Sequence, residues 1–124
     1  MRHCLIVDDS DVVRRVAKRV LEELHFTSTE AETADEAMEY CKRAMPDLIL
    51  LDWHMPMLPP QEFLSALRRS PGGDQPTIIY CTTENDEFDI ARARQNGANE
   101  ILMKPFDTDD LHQKLRSAGF GTLS

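Results

Sequence analysis

The chain has 124 residues, 41% of them hydrophobic and 29% charged, with a formal net charge of −8 at pH 7. A chain of this length forms one domain that buries roughly two-thirds of the surface its unfolded form exposes, which leaves no room for a second core. No run approaches the ~18 apolar residues of a membrane span, and the acidic balance argues against nucleic acid as a partner.

The opening stretch MRHCLIVDD is too short an apolar run for a signal peptide, so the expected location is the cytoplasm. Cys4, Cys41 and Cys81 fit neither a disulfide framework nor a metal-binding spacing, and are expected to be reduced, mostly buried thiols. The segment RRVAKR, Arg14 to Arg19, reads as the solvated face of one helix rather than a phosphate-binding patch.

In chain order, short apolar runs alternate with helix-period segments, the βα pattern of a parallel sheet. The first strand is expected over His3 to Val7. Val12, Val13, Val16, Val20, Leu21 and Leu24 then recur at helical spacing behind the capping candidates Ser10 and Asp11. A second strand is expected over Phe26 to Thr29, and a second helix over Asp35 to Ala44, ended by Pro46. Leu48 to Leu51 lack polar alternation, which suits a central strand covered on both faces.

Pro60 can open a third helix to about Arg69, because proline is accepted at a first helical position, and SPGGDQP makes the following loop. A fourth strand is expected over Thr77 to Cys81, a fourth helix from about Asp86 to just before Gly97, a fifth strand over Glu100 to Met103, and a fifth helix from Asp109 to about Ser117.

Parallel strands point one way, so the residues just past them gather along one edge of the sheet, where ligands of such folds bind. The first strand ends in Asp8 and Asp9, the third in Asp52, the fourth in Thr82, and the fifth in Lys104 and Pro105. Each alone could be a turn former or a helix cap. Together, with the first and third strands adjacent in an order 2-1-3-4-5, they crowd three carboxylates at one corner. Two unit charges about 4 Å apart repel by ~1 kcal/mol in bulk water and ~4 kcal/mol at an effective dielectric of about 20, so such a cluster calls for a cation. Mg²⁺ suits it: a hard ion that takes carboxylate and phosphate oxygens, whereas zinc would want histidine or cysteine there. A lysine and a hydroxyl beside the cluster can hold the oxygens of a transferring phosphoryl group, and Asp52 can be its nucleophile.

The segments LIVDDS, LILLDWHMP, CTTEN and GANEILMKPF resemble the receiver domain of two-component response regulators, in order and spacing, over roughly residues 1 to 118; residues 119 to 124 would form a short tail. The strand order used above is the family's own, so the resemblance implies a single doubly wound, flavodoxin-like α/β domain: a five-stranded parallel sheet of order 2-1-3-4-5 with helices on both faces. It implies that Asp52 accepts a phosphoryl group from a histidine kinase or phosphotransfer protein, forming an acyl phosphate. It also implies that Asp9, Asp52 and the backbone carbonyl of His54 bind Mg²⁺ directly, with Asp8 acting mainly through water. Lys104 would pair with the phosphoryl oxygens and Thr82 donate its hydroxyl to one of them. The Lys104–Pro105 bond would be cis, aiming the lysine at the site.

Such a protein is a signalling switch rather than a classical enzyme. Its output would be altered binding of a protein target through the face made by the fourth helix, fifth strand and fifth helix. No effector domain is expected after residue 124, so the resemblance would be to stand-alone receivers, the shuttles of chemotaxis systems or phosphorelays. The expected state is a monomer, with phosphorylation-dependent pairing as the variant form.

Three features depart from the family pattern. Ile101 stands where many members carry a switching aromatic; it reads as plain core, leaving the switch to the loop backbone. Pro59 and Pro60 replace a usual Asp-Gly pair, so the entry to the third helix takes another path, altering partner choice or access rather than phosphorylation. His54 and Glu84, each two residues past a site residue, flank the path of a water attacking the acyl phosphate and would set its lifetime.

Two other readings compete. LIVDDSDV also matches the start of haloacid-dehalogenase-type phosphatases, with Asp9 as nucleophile and Asp11 as general acid, but this leaves Asp52 unexplained. A pseudo-receiver scaffold that works without phosphorylation normally lacks a site residue, and none is lost here.

Overall fold

A computed structural model describes residues 2–52, 59–83 and 85–120. Five strands, β1 (His3–Val7), β2 (Thr27–Ala31), β3 (Leu48–Asp52), β4 (Thr77–Thr82) and β5 (Glu100–Met103), alternate with five helices: α1 (Asp11–Glu23), α2 (Ala34–Arg43), α3 (Pro60–Arg69), α4 (Glu87–Gln95) and α5 (Thr108–Ser117). The strands form one parallel sheet of order β2-β1-β3-β4-β5, as expected.

Register follows the hydrophobic pattern. Every residue of β3 is buried, because β3 pairs with β1 on one side and β4 on the other and is covered on both faces. One core cluster joins Leu5, Val7, Ile49, Leu51, Ile78 and Tyr80 to Phe63 and Leu67 of α3. On the opposite face Cys4, Ile6, Leu48, Leu50 and Ile79 meet Ala17, Val20 and Leu21 of α1 and Leu111 and Leu115 of α5. The alternation of neighbouring strand residues between these clusters is the two-residue period of a pleated strand.

The second strand begins one residue later and ends two residues later than expected, at Thr27–Ala31 rather than Phe26 to Thr29. It is an edge strand paired only with β1, so its mostly polar side chains face outward and give no apolar signal. Phe26 lies just before it in the core. The second helix starts one residue early because Thr33 caps it, accepting from Glu36 N. The fifth begins at Thr108 behind a reciprocal cap between Asp107 and Asp110. As expected, Ser10 caps α1 and Pro60 opens α3, behind Pro59, which offers no side-chain cap. The three cysteines are buried free thiols. Beyond α5, Phe120 packs edge-on against Phe26 with ring centroids 5.5 Å apart.

Candidate functional site

The loops after β1, β3, β4 and β5 share one rim of the sheet. Register places Val7 beside Leu51, so Asp8 leaves β1 next to Asp52, the last residue of β3. Asp52 pairs with Cys81 and Thr82 with Met103, which brings the ends of β4 and β5 to the same corner. Asp8, Asp52 and Thr82 are buried and Asp9 is exposed. A carboxylate oxygen from each of Asp8, Asp9 and Asp52 lies within 4.8 Å of the others.

Lys104 reaches this cluster from the far side of β4. Its Nζ donates to Asp52 Oδ1 at 2.8 Å and to Asp8 Oδ2 at 2.9 Å, and its backbone N–H donates to the Thr82 carbonyl at 2.8 Å. The Lys104–Pro105 bond is cis. Asp8 is held further by its N–H, which donates to the Ala31 carbonyl at 3.1 Å, and by its Oδ1, which accepts from Ser10 N at 2.9 Å.

Electrostatics sets the character of the corner. Burial pushes the Asp8 carboxyl above its ordinary value; the bonds from Lys104 and Ser10 pull it back, and the Asp52 charge adds to the rise. Burial alone would lower the Lys104 ammonium, but its bonds to Asp52 and Asp8 outweigh that, and its pKa is raised. The lysine is therefore held charged.

The donor set fits a hard divalent cation: three carboxylates, no sulfur, and oxygens close enough together to share one ion. His54 and Glu84, and Trp53 with them, lie outside the described residues. Ile101 is buried in the core as expected and stands in register with the fully buried Tyr80.

One residue departs from the sequence reading. Arg14, placed there on a solvated helix face, is buried and donates to the Asp8 carbonyl at 2.6 Å. Its spacing to Ala17 and Leu21, three and seven residues on, already sets it on the buried stripe of α1.

A family model described as the response regulator receiver domain matches residues 4–116. The phosphate regulon transcriptional regulatory protein PhoB of Escherichia coli is 31% identical over 116 residues, covering 94% of this chain and 51% of PhoB. The chain thus spans about half the length of that relative. The chemotaxis protein CheY of Halobacterium salinarum is 34% identical over 105 residues, covering 85% of this chain and 86% of that protein. Among solved structures, the chemotaxis response regulator CheY4 of Vibrio cholerae superposes with a TM-score of 0.88 at 28% identity, over 94% of this chain and 98% of the other.

Proposed function

Because the chain belongs to the response regulator receiver domain family, we propose that it accepts a phosphoryl group on Asp52 from the phosphohistidine of a histidine kinase or phosphotransfer protein. In that step a carboxylate oxygen of Asp52 forms the new O–P bond, the N–P bond of the phosphoimidazole breaks, and the imidazole leaves with the electron pair. The observation that carries this reading is the meeting of Asp8, Asp9 and Asp52 within 4.8 Å, with one lysine bridging two of them.

Receiver domains hold Mg²⁺ through acidic side chains, and here Asp9, Asp52 and the backbone carbonyl of His54 would hold it directly, with Asp8 acting through water. When bound, the ion offsets the charge on the transferring group and aligns it. The protein's own groups supply the rest. Lys104 exchanges its bond to Asp52 Oδ1 for the incoming phosphoryl oxygens, as a charged donor already aimed at that atom. Thr82 donates its hydroxyl to another phosphoryl oxygen from the end of β4.

The output surface in this reading is the face of α4, β5 and α5, where exposed Phe88 and Met103 offer apolar anchors to a protein partner. Exposed Val12 at the start of α1, beside the carboxylates, does the same for a kinase or phosphotransfer protein. Residues 1–118 form the switch domain, and its cycle is set by its own phosphorylation and dephosphorylation.

Trp53 adjoins Asp52 in the chain and reports on the site. Its fluorescence is expected to change on adding MgCl₂ and again on adding a small acyl-phosphate donor. A flat response to both, with no gain of phosphoryl mass, would put the scaffold reading first.

A further inference from the structure

Arg14 stands near the start of α1 with its guanidinium buried, although a surface-helix arginine ordinarily keeps its charged head in water. Its Nη1 donates to the Asp8 carbonyl at 2.6 Å and its Nε to Glu30 Oε1 at 3.1 Å. Its Nη2 pairs with the Asp11 carboxylate, and Glu32 Oε1 lies 3.7 Å away. One planar fork thus ties the end of β1 to the first turn of α1 and to the edge strand β2. The segment it encloses, Asp8 to Asp11, carries two of the three clustered carboxylates.

We infer that Arg14 is a positioning residue for the cation site. This rests on reading Asp8, Asp9 and Asp52 as the Mg²⁺-holding cluster. The Asp8 carbonyl and the Asp9 N–H belong to one rigid peptide plane, so the bond that fixes the carbonyl also fixes where the Cα of Asp9 stands. Asp9 is exposed and needs such a restraint if its carboxylate is to meet the near-ideal octahedral demand of Mg²⁺. Glu30 and Glu32 act one step further out, by holding the fork.

Charge and geometry give opposite signs, which makes the inference testable. A guanidinium that acted only through its charge would repel a divalent cation, so its removal would tighten Mg²⁺ binding. A guanidinium that positions Asp9 does the reverse. Lysine keeps the charge but is a point donor that cannot bridge a carbonyl and several carboxylates at once. Arg14→Lys therefore separates the two effects.

The test is calorimetric titration with MgCl₂ at fixed ionic strength on the wild type, Arg14→Lys, Arg14→Gln and Lys18→Gln. Lys18 is 3.9 Å from Glu30 and serves as the charge-only control. Arg14→Lys is expected to weaken Mg²⁺ binding about tenfold, the low end for a partner that orients a metal ligand, with Lys18→Gln within about twofold of the wild type. Arg14→Gln is expected to weaken binding as well; should that variant not fold, Arg14→Lys decides alone. Wild-type affinity in Arg14→Lys, or tighter binding in Arg14→Gln, would overturn the positioning role while leaving the Mg²⁺ reading standing. A wild type that takes up no Mg²⁺ would overturn both.

Discussion

Lys104 donates to Asp52 Oδ1 at 2.8 Å, and the same ammonium donates to Asp8 Oδ2 at 2.9 Å. Removing one member of a buried ion cluster typically costs about 3–5 kcal/mol, because the charges left behind stay desolvated. Lys104→Met is therefore expected to lose stability of that order in urea melts with chelator present. Added Mg²⁺ should recover part of it by serving the same carboxylates. A variant as stable as the wild type would show that the ammonium offsets nothing.

Asp8 lies on the other side of this balance. Its carboxyl is raised above 3.8, first by burial, so the folded state holds its proton more tightly than the unfolded chain. Stability then falls as pH rises from below the unfolded value through the folded one, and remains lower at neutral pH. Asp8→Asn removes that cost and should raise the chelator-treated melting midpoint at pH 7. The advantage should shrink as pH falls and vanish well below the unfolded value of 3.8, where Asp8 is protonated in both states. A lower midpoint at pH 7 would contradict it.

The cysteines should be silent in the folded protein. Burial pushes the Cys41 thiol up to about 11 and the Cys81 thiol up to about 12, and raises Cys4 as well. The thiolate is the reactive form, so Ellman's reagent at pH 8 should find no reactive thiol until the chain is unfolded. The protonated thiols contribute stability that is present below the unfolded value of 9.0 and lost as pH rises through the folded values. Rapid native labelling would show the sites open.

Ile101 is buried in the core beside its strand partner Tyr80, which is itself fully buried. Ile101→Tyr is expected to cost about 1–3 kcal/mol by overpacking, while phosphoryl uptake persists. A stable variant that switches more strongly would show instead a vacant place for an aromatic switch.

How much of this was legible beforehand differs by element. Leu48 to Leu51 announce a central strand by lacking polar alternation, and the carboxylates, hydroxyl and lysine announce a site by falling at strand ends. The bounds of the edge strand are not legible, because Thr27 to Glu30 are mostly polar and only partly covered, and their pairing with β1, not their hydrophobicity, sets the register. The burial of Arg14 is only half legible, because a charge is normally solvated: its helical spacing to Ala17 and Leu21 is visible in the sequence, but its partners Asp8, Glu30 and Glu32 meet it only through the fold.

The most direct measurement is peptide mapping by mass spectrometry after incubating the protein with a small acyl-phosphate donor, with and without MgCl₂. The expected result is one phosphoryl group on the peptide holding Asp52, dependent on Mg²⁺ and absent in Asp52→Asn. Phosphoryl found on Asp9, or retained in Asp52→Asn, would contradict the assignment of Asp52 as the acceptor.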